Sequence, residues 1–495
     1  MKSERFSTED EIKRALGKLG ECEGGGPVAY TENGDVFVYN GEGHTIRLGI
    51  SGSGKSRRGT YLDARSIIEA GESGILIDPK AELWRNLACY SQKSHDVRVI
   101  NFRNPKFSQS WNPLAYPLAM WQTGERGQAQ MLVQEIVLNL TNTNRSSDQF
   151  WIDSERSLMS GLINLLMEYA PEHCSFPSLQ AILRDDWNSL STNDQNVSGG
   201  YLADIVETLP TDSTAKQLLS SYTALTARTT KSCIMSEVTN TITKFCTTED
   251  VADMISSDDL DIANLNTERP FMIFVIIPDD SPVFATLSGL LVTQIASKLI
   301  RLADLNHDGR LPIRVNFILE ELGSIGHSIP NLAFLMSAGR SRQIRMVLIL
   351  QALEQLDSTF GSSRAEIIRS NANLWICLKL NSRNTLSELS WKCGNKIIQA
   401  GNIYHSQPLL SEQQLMALPI GTALVFINGE RKFVHLFEDY TAVFDCSDLM
   451  EIPIAPTKKR DASKSINLVK IKNKVSASKR SSAGSRLRTI FEEGE

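Results

Sequence analysis

The sequence is poor in the features that staple, metallate or anchor a chain. Its eight cysteines (Cys22, Cys89, Cys174, Cys233, Cys246, Cys377, Cys393, Cys446) are scattered, with no C-x-x-C pair. That argues against zinc ribbons and disulfide frameworks and suits a reducing cytosol. The histidines form no H-E-x-x-H or similar cluster, and Ser/His/Asp catalysis has no support. Long apolar runs are missing too. The longest lies around Phe271 to Ile277, far short of the ~18–20 residues that span a bilayer. Met1 to Gly20 is charged throughout, so no signal peptide is expected. As it stands, the chain reads as soluble, with no transmembrane segment of its own.

What is present is the material of a globular protein. A length of 495 residues predicts two or three domains with ample cores. The net charge of −6 hides an asymmetry: from Ala455 to Glu495 there are eleven Lys/Arg against four Asp/Glu, a net of +7, which leaves −13 for the rest. An acidic body is a poor non-specific DNA binder, so contact with DNA needs a local basic lining or the tail. The tail equally suits anionic lipid headgroups or a solubilising extension, and those alternatives stay open.

One stretch carries clear chemistry. Arg47-Leu48-Gly49-Ile50-Ser51-Gly52-Ser53-Gly54-Lys55-Ser56 fits G-x-x-x-x-G-K-[ST] at Gly49, Gly54, Lys55 and Ser56. Glycines let the backbone N–H groups of Ser51, Gly52, Ser53 and Gly54 curl round a polyphosphate, at the positive end of the following helix. Lys55 is expected to reach the β/γ-phosphates of ATP, and the Ser56 hydroxyl to ligate Mg²⁺. His44 to Leu48 reads as the strand before the loop, and Arg58 to Glu69 as the helix after it.

Around this loop the pattern alternates. Thr8 to Leu19 resembles a capped amphipathic helix, and Ala29 to Tyr39 a β-hairpin turning at Asn33-Gly34-Asp35. Gly74 to Asp78 and Val97 to Phe102 read as buried parallel strands, with a helix beginning near Leu83. From about Pro113 to Leu260 the periodic segments are helical: Gln128–Leu140, Trp151–Ala170, Phe176–Leu183, Tyr201–Leu209 and Ser213–Thr241. The α/β rhythm then returns, with strands at Phe271–Ile277, Val315–Glu321, Met346–Leu350, Leu374–Leu380 and Thr422–Ile427 completing the sheet. The fold class is α/β, a doubly wound domain interrupted by an all-α insertion. The expected divisions are 1–43, 44–112, 113–260, 261–454 and a disordered basic tail over 455–495.

A phosphate loop needs an acid at a strand end to hold the magnesium shell, and a hydrolase needs a group that positions water. Asp78 ends the next strand. Asp279-Asp280 follow a strong strand, but Pro278 bends them away. Glu320-Glu321 sit directly on their strand, which is expected to neighbour the loop strand. Glu320 is therefore assigned to the metal side, and Glu321 to polarising water. Gln351, at the end of the following strand, is placed on the γ-phosphate or that water, with a satisfied strand-end amide as the plain alternative. Arg340 and Arg342 suit the arginine that ring ATPases send into a neighbour's site, against the plain alternative of solvated surface arginines. Asp304 to Gly309 begins like a calcium loop, but Val315 stands where the bidentate Glu belongs, so it reads as a turn.

Several further stretches stand in a fixed order. They are Ile77-Asp78-Pro79-Lys80-Ala81-Glu82-Leu83, Trp111-Asn112-Pro113-Leu114, Phe317-Ile318-Leu319-Glu320-Glu321-Leu322-Gly323, Arg340, Leu348-Ile349-Leu350-Gln351, and Phe360-Gly361 before Asn371. With the phosphate loop, they make the chain from about His44 to Tyr440 resemble the type IV coupling proteins, the conjugative DNA-transfer ATPases of bacterial type IV secretion systems. The resemblance implies a RecA-like nucleotide-binding domain with an all-α domain, using ATP and Mg²⁺ and assembling as a homo-hexameric ring at the cytoplasmic face of the membrane. Such a ring hands a relaxase–DNA complex, or another secreted substrate, to the secretion channel. The DNA is expected to be single-stranded. Two departures stand out: the family usually has Asp where Glu320 stands, and N-terminal transmembrane helices that are not seen here. Either a separate membrane protein recruits the chain, or the anchor is missing from it. Two other functions fit the residues, a hexameric DNA-pumping ATPase outside secretion and a nucleotide-binding docking adaptor that hydrolyses little.

Overall fold

The computed structural model describes residues 3–22, 24–30, 35–141, 149–192, 195–246, 248–278, 282–400, 403–430, 432–446 and 471–475. They fall into two units, one of residues 3–103 and 265–446, the other of residues 104–264 with 471–475.

The first unit is built on a nine-stranded sheet. In chain order its strands are β1 (His44–Leu48), β2 (Ser73–Asp78), β3 (Asp96–Asn101), β4 (Phe271–Ile276), β5 (Val315–Leu319), β6 (Ile344–Leu350), β7 (Ala372–Cys377), β8 (Thr422–Ile427) and β9 (Phe433–Leu436). Across the sheet they run β9-β8-β7-β1-β6-β5-β2-β4-β3. The strands from β7 to β3 are parallel, while β8 and β9 close one side antiparallel. Parallel strands are covered on both faces and so read as unbroken apolar runs. Every residue of β2, β4, β5 and β6 is buried, which is why Phe271–Ile276 and Ile344–Leu350 show no polar alternation. One face packs against α1 (Tyr61–Glu69) and α2 (Glu82–Ser91), where Trp84 meets Phe274 edge-on with ring centres 5.3 Å apart. The first unit also holds the long helix α3 (Pro282–Leu305) and the short α4 (Leu332–Gly339). By length and composition, 283–305 is apolar enough to cross a membrane, with mean hydropathy 1.6. Since 67% of that stretch is buried inside the fold, it is better described as a core helix.

Several expectations are refined here. Strands Gly26–Tyr30 and Val36–Tyr39 pair antiparallel, but residues 31–34, with the proposed Asn33-Gly34 turn, lie outside the described residues, as do Asp279-Asp280 and most of the tail. Thr422–Ile427 does not complete the sheet, because β9 pairs beyond it. The hairpin Asn395–Ala400 with Ile403–Pro408 was not anticipated. In the second unit, Ser213–Thr241 is two helices, Thr214–Thr223 and Arg228–Phe245. The break arises because the backbone at 226–228 is diverted: Val197 N–H bonds Thr226 O and Arg228 N–H bonds Gln195 O, beside a small hairpin of 190–192 and 197–199. That unit otherwise consists of helices, among them Arg126–Thr141, Gln149–Tyr169, Phe176–Ser189 and Tyr201–Thr208.

A buried histidine anchors the start of the loop strand. Met346 N–H donates to His44 Nδ1 at 3.0 Å, so the ring proton sits on Nε2, which donates to Met336 O at 2.7 Å. Burial holds His44 down to about 4 from an ordinary 6.5. The unfolded chain therefore takes up a proton below its ordinary value while the folded chain stays neutral. The stability His44 contributes is complete above pH ~6.5 and is lost as pH falls toward 4, up to a ceiling of about 3 kcal/mol. Denaturant unfolding of the His44→Gln chain should show a flatter decline between pH 7 and pH 5 than the parent. Identical slopes would show that His44 is not the group responsible.

Candidate functional site

The phosphate loop leaves the C-terminal end of β1 between two neighbours. Gly49 N–H donates to Leu350 O at 3.1 Å and Ile50 N–H to Lys379 O at 3.0 Å, so the root of the loop prolongs the pairing on both sides. The chain then turns sharply, with Gly52 and Gly54 at φ of +77° and +93°, a region glycine enters without a Cβ clash. Ser53 N–H closes on Ile50 O, whereas the N–H groups of Gly52, Gly54 and Lys55 have no partner among the described residues. Ser53 Oγ is buried and likewise unpaired. Orphan donors gathered at the head of a helix are the groups that a polyphosphate satisfies. Past the loop, Thr60 N–H reaches back to Lys55 O at 2.9 Å, widening Ser56–Thr60 into a π-turn before α1 begins.

The acidic side of the site comes from the ends of β5 and β2. Ser56 Oγ donates to Glu320 Oε1 at 2.8 Å. Burial lifts the Glu320 carboxyl to about 7; Asp78 and Glu321 push the same way, and the Ser56 hydrogen bond opposes them. Burial also lowers the Lys55 ammonium from its ordinary value, with Glu321 and then Glu320 pulling it back. A hydroxyl and a buried carboxyl, flanked by further carboxylates, form an oxygen-rich donor set of the kind Mg²⁺ takes beside a phosphate chain. The residues therefore fit both a polyphosphate and its metal.

The strand order overturns one expectation. β5, which carries Glu320, is not the neighbour of the loop strand, because β6 lies between them. Since Gly49 is bonded to the end of β6, the loop arches across that strand and sets Ser56 above the end of β5. Asp78 is engaged as a cap, accepting the N–H groups of Glu82 at 3.0 Å and Trp84 at 2.8 Å, and burial lifts it to about 6.

Glu321 follows β5 at φ +54°, a left-handed conformation that is uncommon for a residue with a side chain. Gln351, at the end of β6, extends Nε2 to Glu321 Oε2 at 3.4 Å, and its own N–H is held by Gln355 Oε1 at 2.7 Å. Gln355, which the sequence did not single out, thus fixes where Gln351 leaves the strand. Arg340 and Arg342 are not brought to this site. They precede β6, at the N-terminal end of that strand, a strand length of about 20 Å away. Arg342 is tied to Asp304 Oδ1 at 2.8 Å and Ala338 O at 2.7 Å. The Arg340 backbone N–H caps the helix on Met336 O, while its exposed side chain has no hydrogen bond or ion pair among the described residues.

A family model described as Type IV secretory system Conjugative DNA transfer matches residues 5–433. The conjugal transfer protein TraG of Escherichia coli is 24% identical over 407 residues, a match covering 74% of this chain and 58% of TraG. The chain thus spans less than two thirds of that relative. Among solved structures, the bacterial conjugative coupling protein TrwBdeltaN70 is similar at a TM-score of 0.64 and 16% identity, covering 88% of this chain and 93% of that one. The plasmid coupling protein TrwB in complex with ADP and Mg²⁺ gives 0.63 at 15% identity, over 89% and 94%. VirB4 of Thermoanaerobacter pseudethanolicus gives 0.51 at 12% identity, over 86% and 99%. At such identities the likeness is one of fold, a RecA-like nucleotide-binding domain with an all-α domain.

Proposed function

The chain belongs to the type IV secretory system conjugative DNA transfer family, and we propose that it is an ATP-driven coupling protein that delivers relaxase–DNA or protein substrate to a type IV secretion channel. The observation that supports this most is the meeting of Ser56 with Glu320 beneath a loop whose Gly52, Gly54 and Lys55 N–H groups have no partner among the described residues. The cradle of Gly49 to Ser56 binds the phosphates of ATP, with Lys55 neutralising their charge. Ser56 and Glu320 hold Mg²⁺, which when bound neutralises charge on the phosphate chain. Glu321 takes up the proton of the attacking water, and Gln351 orients that water. Arg340, exposed and far from the chain's own loop, acts in a neighbouring copy of a homo-hexameric ring, with Arg342 as the second candidate. The ring works at the cytoplasmic face of the bacterial membrane on single-stranded DNA.

Purified protein should turn over ATP, and single-stranded DNA should stimulate it. Lys55→Ala should weaken ATP binding about 10- to 100-fold, the equivalent of one charged hydrogen bond of ~1.5–3 kcal/mol. Nucleotide affinity unchanged by Lys55→Ala would remove the phosphate loop from the account. ATP binding with turnover no higher than that of the Lys55→Ala chain would favour a docking adaptor, with Glu320, standing where the family usually has Asp, as the reason.

A further inference from the structure

Within the basic stretch after Ala455, one segment is seated on the all-α unit. Residues 471–475 form a helical turn whose Ile471 and Val475, four apart and so on one face, are 1% and 0% exposed. Lys472 Nζ donates to Asp204 Oδ2 at 2.7 Å, and Lys474 pairs with Glu172. Asp204 lies in the helix Tyr201–Thr208 and Glu172 in the turn Pro171–His173, so acceptors from two separate elements take the two lysines. The expectation of a wholly disordered tail is corrected at these residues, since an apolar pair among the lysines finds a seat.

The seat is a weak one by construction. All four charged side chains are about half exposed, where ion pairs are screened and contribute little. Burial of Ile471 and Val475 must offset the entropy of ordering the segment. A contact so balanced exchanges readily. We propose that this face of the all-α unit is a binding site for basic amphipathic helical segments, filled in cis by the chain's own tail and opened to a segment of another protein bearing the same pattern. That pattern is an apolar pair four residues apart, interleaved with lysines. The inference is independent of whether the phosphate loop hydrolyses ATP. It also means that Lys472 and Lys474 are paired with Asp204 and Glu172 while the tail is docked.

The test uses the full chain and a fluorescein-labelled peptide of residues 464–478, followed by anisotropy. A site filled by its own tail about nine-tenths of the time takes a competitor about tenfold more weakly. The Ile471→Asp/Val475→Asp chain should therefore bind the peptide about tenfold more tightly than the parent, and hydrogen exchange over 201–208 should rise. Adding Asp204→Lys and Glu172→Lys should abolish the gain. A second chain, Lys472→Glu/Lys474→Glu, changes only half-exposed charges and should open the site in the same direction. Equal affinity in the parent and both tail variants would overturn the proposal, as would a gain that survives reversal of Asp204 and Glu172.

Discussion

Glu321→Gln should lower ATP turnover by about 10²- to 10⁴-fold, the range a positioned general base contributes, while leaving ATP affinity close to that of the parent. The substitution keeps side-chain length and hydrogen-bonding capacity, so Gln351 Nε2, now 3.4 Å from the carboxylate, retains an acceptor. What disappears is the ability to accept a proton. An effect on kcat without one on binding marks an interaction made only in the transition state. The backbone offers a second readout. Glu321 is held at φ +54°, a conformation that costs a residue with a Cβ roughly 1–2 kcal/mol and that glycine adopts freely. Glu321→Gly should therefore lose turnover while melting no earlier than the parent. Strain tolerated at a residue that stability does not require is expected of a functional position. Full turnover in Glu321→Gln would make Glu321 a structural residue and leave the attacking water without its base.

The parts of this site that could be read in advance are those written into local backbone chemistry. The phosphate loop has a fixed spacing because consecutive N–H groups must converge on one anion, and that requirement is visible in ten residues. Glu320 and Gln351 were legible as the ends of apolar strands. The order of those strands was not, since nothing in the local pattern of Val315–Leu319 says that Ile344–Leu350 comes between it and the loop strand. Asp78 stood as the next candidate after Glu320-Glu321 for a similar reason. Its engagement with Glu82 and Trp84 depends on Ala81 turning through φ +57°, which an alanine does not announce. Composition likewise described the tail correctly as basic, yet it could not reveal that Ile471 and Val475 would be buried.

Arg47→Met should destabilise the nucleotide-binding unit by about 3–5 kcal/mol, the cost of leaving a buried charge without its partner. Arg47 is of a residue type ordinarily found at the surface. It is instead wholly buried, with Nη2 donating to Asp63 Oδ1 at 2.8 Å and Oδ2 at 2.7 Å. Room for the guanidinium comes from Gly59, where a Cβ would lie 2.8 Å from Arg47 Cδ, and the π-turn Ser56–Thr60 passes over it. The pair thus lies under the turn that carries Ser56. Burial already pushes the Asp63 carboxyl above its ordinary value, and Arg47 is the main influence pulling it back. Without Arg47 that upward shift grows, which fixes the sign of the pH dependence. The deficit of Arg47→Met should be complete above the raised Asp63 value and shrink as pH falls through it, because the protonated acid carries no buried charge. Arg47→Met/Asp63→Leu removes both charges and should recover most of the loss, so the two single effects should be strongly non-additive. Denaturant unfolding of the four chains of this cycle at pH 7 and pH 5 measures both. Additive losses, or a deficit independent of pH, would mean that the pair is not coupled and that Arg47 supports the turn through packing alone.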